Sequence, residues 1–204
     1  MKKAIYYILM GLLLLILSAC ESGAELNMVN RTSYPVNTSV DHAEIVSIPE
    51  GQSHVFKIDT DTQSFLTGEV KRKIPVWIVG ETFSLYDRDA GVFVDSTEIT
   101  VKAGKTTNAF LDPNRASIKI VNNSDEIITQ AIIKMIKPAY YQNVAVINNI
   151  QSGESISKRV KYATFDDPFY YKVEIWFENA TEPIEYGNSE TVLANDQQWV
   201  VEVE

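Results

Sequence analysis

The sequence predicts an all-β protein built as two tandem, duplicated small β-sandwich domains that follow a cleaved N-terminal segment. Three observations predict it. Apolar residues recur at every second position in short segments, and clusters of Gly, Asn, Asp, Ser and Pro bound those segments. Five landmarks of the first half then return in the same order in the second half.

The period of two is clearest near the C-terminus. From Tyr170 to Phe177 one face carries Tyr171, Val173, Ile175 and Phe177, and the other carries Tyr170, Lys172, Glu174 and Trp176. From Gln197 to Val203 the apolar comb is Trp199, Val201 and Val203. Ile156, Val160 and Tyr162 share a face with Lys158. Each pattern fits a half-buried strand. Ile74 to Val79 and Ile127 to Ile136 are apolar on both faces or nearly so, which predicts central strands. No segment beyond residue 20 carries a helical stripe.

The repeat is read from landmarks. Leu26 to Thr32 returns as Ile118 to Ser124, Pro49 to Ser53 as Gln151 to Ser155, Val76-Trp77 as Ile175-Trp176, and Tyr86 as Tyr186. Each copy is expected to close with a hairpin, Glu98 to Leu111 around Ala103-Gly104-Lys105 in the first and Glu190 to Val203 around Ala194-Asn195-Asp196 in the second. The offsets are 92, 102, 99, 100 and 91, one common order with loop insertions. The expected units are residues 26–112 and 113–204, joined at the turn-forming Asp112-Pro113-Asn114. The pattern resembles immunoglobulin-like or prealbumin-like modules in a generic way.

The N-terminus reads as an export signal. Met1-Lys2-Lys3 is cationic, Ala4 to Leu17 is an unbroken apolar run of 14 residues, and Leu17-Ser18-Ala19-Cys20 follows. A membrane-spanning helix needs roughly 20 apolar residues, so the run is short for an anchor. The tetrapeptide resembles the bacterial lipobox. That resemblance implies a signal peptide over residues 1–19, a diacylglycerated Cys20 at the mature N-terminus, and a membrane partner reached through lipid. Residues 20–25 are then the lipidated end and a short tether. Glu21 stands where an Asp resembles an inner-membrane retention signal in Gram-negative lipoproteins, so the expected location is extracytoplasmic, at the outer membrane if there is one. Cys20 is the only cysteine, so the exported part has neither disulfide nor free thiol.

Charge narrows the partners. The chain has formal net charge −9; without Lys2 and Lys3 it keeps 16 basic against 27 acidic side chains, a net −11. Phosphate backbones repel such a surface, so nucleic acid is not an expected partner.

Searching for chemistry excludes more than it finds. Gly51-Gln52-Ser53 and Gly153-Glu154-Ser155 lack the second Gly of a nucleophile elbow and recur at equivalent places, which fits a hairpin turn. Asp41, Ser53 and His54 make a triad only on paper, because neighbours on a strand point to opposite faces. His42 and His54 are the only imidazoles, and both are expected at the surface. Asp59 to Gln63 alternates oxygen donors as a calcium loop does, but Ser64 replaces the required Gly and Val70 the terminal Glu. Zinc needs Cys or His clusters that are absent beyond Cys20, so no metal and no cofactor is expected. Asp87 to Gly91, Asn30-Arg31-Thr32 and Asn122-Asn123-Ser124 are read as turn chemistry.

Aromatic residues carry the one positive site expectation. Tyr140 and Tyr141 sit beside Pro138 in an insertion that the first copy lacks, and Phe165 and Phe169 flank Asp166-Asp167-Pro168 in a loop entering a strand. Rigid amphipathic rings on loops suit protein or glycan recognition. The four are the expected recognition surface, while Tyr171, Trp176 and Phe177 are assigned to the core. The expected function is therefore a non-enzymatic binding or adaptor module. A structural part of an envelope or surface assembly is the alternative, and an enzyme ranks third.

Overall fold

The computed structural model describes residues 22–62 and 68–204. Cys20, the export signal and part of the Asp59 to Val70 segment lie outside the described residues. Among the described residues the regular structure is entirely β, and the strands build sandwich-like units. The chain forms two compact units. One holds the described residues up to Asn30, Asn37–Ile78 and Leu85–Leu111; the other holds Arg31–Val36, Val79–Ser84 and Asp112–Glu204.

The first unit draws on β1 (Ala24–Asn30), β2 (Val36–Val40), β3 (Val46–Ile48), β4 (Ser53–Ile58), β5 (Lys71–Gly80), β6 (Leu85–Asp87), β7 (Val92–Val94), β8 (Ser96–Lys102) and β9 (Thr106–Leu111). One sheet has the order β4-β1-β9 and the other β3-β2-β5-β8, with β6-β7 a separate ribbon. β1 runs antiparallel to β4 and parallel to β9. Its alternation buries Ala24, Leu26, Met28 and Asn30. Opposite them Ile48, Ile74, Val76 and Val101 are buried from the other sheet, and the Thr38 hydroxyl meets the Met28 sulfur at 3.5 Å.

The second unit repeats that plan with β10 (Ala116–Asn122), β11 (Ile128–Ile136), β12 (Tyr141–Ile150), β13 (Ser155–Val160), β14 (Tyr170–Phe177), β15 (Ile184–Tyr186) and β16 (Gln198–Val203). Its sheets are β13-β10-β16 and β12-β11-β14-β15. β10 is antiparallel to β13 and parallel to β16, as β1 is to β4 and β9. Ile118, Ile120 and Val201 from one sheet pack with Ile133, Val173 and Ile175 from the other. Within this unit Asp196 accepts hydrogen bonds from Ser33 N and Oγ (2.9 and 2.8 Å) and from Thr82 Oγ1 (2.5 Å).

The face assignments of β14 and β16 match the alternation read from sequence. β5 and β11 are central, as their two-sided apolar character implies, and β5 is central despite Pro75. Two readings change. The closing segments are not hairpins: β8 pairs with β5, whereas β9 crosses to the other sheet and pairs with β1. In the second unit the segment before β16 forms no strand, though Tyr171 N donates to Thr191 O at 3.0 Å and Leu193 is buried. The Gly51 and Gly153 turns likewise join strands of different sheets. An alternating pattern says which side chains face inward but not which strand supplies the partner, and a tight turn serves an arch as well as a hairpin. Both turns close with an i+3 N–H donated back to the first carbonyl, Gln52 to Pro49 and Glu154 to Gln151, with glycine at φ 67° and 76°.

Trp176 is the second change. It lies on the outward face of β14, half-buried, and Trp77 on β5 is 37 % exposed. Tyr171 is fully buried, and Phe177 packs partly buried against the core.

Candidate functional site

The site grows from the β11–β12 hairpin. Ile136 pairs with Tyr141, and Lys137–Tyr140 make the connecting loop, closed by Lys137 N donating to Tyr140 O at 2.9 Å. Tyr140 ends that loop and Tyr141 opens the edge strand β12, where no further strand of the sheet flanks them, and they are 55 % and 65 % exposed. The Tyr141 ring lies 5.1 Å from Lys134 Nζ, and Lys134 pairs with Glu174 across the outward face of the sheet.

The loop entering β14 supplies the rest. Asp167 N donates to Thr164 O and to its hydroxyl, both at 3.2 Å, which folds residues 164–167 into a turn. Phe165, at the crest of that turn, is 99 % exposed. Phe169 departs from expectation. It is 4 % exposed and packs edge-to-face on Tyr171 at 5.5 Å, so it belongs to the core and not to an exposed surface. The cause is strand parity, because Phe169 falls two residues before Tyr171 on the inward side of the incoming strand.

Asp167 joins the two loops. Lys137 Nζ and Lys161 Nζ donate to its two carboxylate oxygens at 2.5 and 2.6 Å. Both ammonium groups also approach the Phe169 ring, at 5.8 and 5.9 Å, and Lys137 lies 5.9 Å from the Tyr140 ring. The hydrogen bond from Lys137, then that from Lys161, holds the Asp167 carboxyl below the ordinary carboxylate range, and the same contact raises Lys137. Beside this cluster runs a groove of about 550 Å³, lined by Pro138, Thr164, Phe165, Pro168, Phe169 and Val192. The exposed Phe165 ring and the ammonium group of Lys137 at the groove offer stacking and hydrogen bonding to a ligand.

The paper triad does not assemble around Asp41, whose carboxylate is taken by Arg72 at 2.8 Å. Ser53 and His54 are exposed on β4, His42 is exposed in a turn, and the His54 ring rests on Phe56 at 4.6 Å. Asp87 caps its own turn, accepting from Asp89 N and Ala90 N.

Sequence reasoning undervalued Asn30 and Asn122. Both are fully buried at the ends of the equivalent strands β1 and β10. Asn30 Nδ2 donates to Ile48 O and Pro49 O, and Asn122 Nδ2 donates to Ile150 O and Glu126 O. The signal was present: an asparagine closing the same apolar strand in both copies, 92 residues apart. The turn reading was half of the answer, since Ser124 N and Oγ do donate to Asn122 Oδ1.

No protein-family model matches the chain, and no curated protein does. Among solved structures, a fimbrial assembly protein from Parabacteroides distasonis ATCC 8503 is similar over 90 % of this chain and 91 % of its own, at 10 % identity and TM-score 0.31. The Bacillus anthracis TIE protein aligns with 90 % of this chain at 11 % identity and TM-score 0.30, but the match spans only 34 % of that protein. A DUF3823 family protein from Bacteroides uniformis ATCC 8492 is similar over 80 % of this chain and 98 % of its own, at 9 % identity and TM-score 0.23.

Proposed function

We propose that this chain is a lipid-anchored extracytoplasmic binding module whose recognition surface is the aromatic end of the second unit. One observation carries the reading. Phe165 is 99 % exposed on a groove that Pro138 also lines, and Tyr140 and Tyr141, a few residues along the chain from Pro138, are exposed too. A large ring held fully in water on an ordered turn contributes nothing to folding and costs solubility, which an anchoring contact with a partner would offset. The ligand class is a protein or glycan surface that stacks on rings and accepts hydrogen bonds from ammonium groups. Lipid on Cys20 supplies the anchor in this reading. Only Glu21, Ser22 and Gly23 separate it from β1, at most about 11 Å of extended chain, so the first unit would stay close to the bilayer.

Two measurements test it. Metabolic labelling with a fatty-acid analogue should mark the wild type and leave Cys20→Ser unmarked and released; a labelled, membrane-bound Ser variant contradicts the anchor. Crosslinking and co-purification from membranes should recover a ligand with the wild type and lose it with Tyr140→Ala/Tyr141→Ala/Phe165→Ala. Recovery undiminished by the triple variant contradicts the site.

A further inference from the structure

We propose that β12 of one copy pairs antiparallel with β12 of a second copy of this chain, about a twofold axis, joining two four-stranded sheets edge to edge. The inference is independent of what the aromatic loops bind.

β12 is the outermost strand of β12-β11-β14-β15 and is ten residues long. One side of its backbone therefore faces no strand of its own sheet. Natural edge strands are guarded by charge, proline, a bulge or brevity. The other edges of the four-stranded sheets obey this: β3 and β15 have three residues each, and β8 carries Glu98 and Lys102. β12 is long and carries neither charge nor proline, and its one guard is the bulge at Val144, beyond which Ala145–Ile147 stays regular. In a chain that is 22 % charged, the sixteen residues from Pro138 to Gly153 contain no charge, and Val144 and Val146 are 37 % and 49 % exposed. The duplication supplies a control, because β3 holds the same place in the first unit with three residues. The extra length of β12 is not a requirement of the strand plan.

Charge and geometry select a second copy as the occupant. Copies this acidic repel, so they approach closely only along a strip where neither is charged, and self-pairing of β12 sets uncharged side chains opposite uncharged ones. Opposite residues of an antiparallel pair share a face, so the axis must fall on a residue and not between two. Centred on Val146, it sets Val146 against Val146 and Ala145 against Ile147. The register against β11 skips Val144, and Asn149 has φ 58°, so the regular pairing about Val146 is confined to Ala145–Ile147, with Asn148 meeting the bulge at Val144. With β15 only three residues long at the far edge, pairing closes as a dimer and does not propagate.

The test uses the full chain in its membrane. Val146→Cys should form a disulfide-linked dimer on a non-reducing gel, whereas wild type, whose one cysteine is Cys20, and Val200→Cys, 43 % exposed on β16, should not. Sedimentation in detergent should give a dimer for wild type. Val146→Lys and, separately, Asn148→Lys should give monomers whose unfolding midpoints match wild type. Monomeric wild type, crosslinking of Val146→Cys no stronger than that of Val200→Cys, or a dimer that a folded lysine variant leaves intact would each overturn the proposal. So would a Val146→Cys crosslink to a different protein.

Discussion

Asn30 and Asn122 do the same work in the two units, whereas β3 and β12, which hold the same place in their sheets, do not. Each asparagine closes the central strand of a three-stranded sheet and ties it to the last carbonyl of the edge strand opposite, Ile48 in one unit and Ile150 in the other. The glycine turns after those carbonyls also correspond, as do the parallel pairings of β1 with β9 and β10 with β16. The edge strands diverge, three residues against ten. Other differences accompany that one. β13 presents exposed Lys158 where β4 buries Phe56, and the outer edge of the four-stranded sheet is β8 in one unit and β15 in the other. What two copies keep is what the strand plan requires; what one copy adds is free to serve something else.

The largest effect tests the shared part. Asn30→Ala and Asn122→Ala each take the side-chain donor from one buried carbonyl, Ile48 O in one unit and Ile150 O in the other, and each should cost about 1–3 kcal/mol in denaturant unfolding. If one variant is neutral while the other is not, the equivalence of the two positions fails. The glycine turns sharpen the same comparison. Gly51→Ala and Gly153→Ala have open space around the added Cβ and lose only backbone freedom at positive φ, about 1–2 kcal/mol each. Gly187→Ala should cost more than either, because its Cβ would meet Tyr171 O at 2.6 Å and the Trp199 ring at 2.8 Å at φ 86°.

A pH titration separates the units next, since the Lys137–Asp167–Lys161 cluster belongs to the second alone. The folded pKa of Asp167 is lowered by those hydrogen bonds. Its contribution is therefore complete above the unfolded carboxyl value of about 3.9 and disappears as pH falls through the lower folded value. Carboxyl chemical shifts should give a midpoint below 3.9 for Asp167 in wild type and a higher one in Lys137→Met/Lys161→Met. An unchanged midpoint in the double variant would show that the lysines do not hold it.

Much of the scaffold was legible in the sequence because its signals are local. Alternation in β14 and β16, the two-sided apolar runs of β5 and β11, and the repeated Asn and Gly landmarks follow from strand geometry and turn chemistry alone. Partner choice was not legible: nothing local to residues 98–111 says that β8 joins β5 while β9 crosses to β1. The site was half legible. Tyr140 and Tyr141, read as an insertion that one copy lacks, and Phe165, read as a ring in a loop, are all exposed, but Phe169 was misplaced because loop parity is set where the strand begins. Lys137, Lys161 and their shared Asp167 were missed, since their meeting depends on three separate segments.

The smallest expected effect bears most directly on the central claim, that the second unit's added residues serve something other than folding. Chemical unfolding of Tyr140→Ala/Tyr141→Ala/Phe165→Ala should match wild type to within about 0.5 kcal/mol at each site, as exposed substitutions ordinarily do. The two tyrosines fall at the upper end because each covers a lysine. A loss of several kcal/mol, the size expected for emptied core positions, would contradict the account and return these rings to the scaffold.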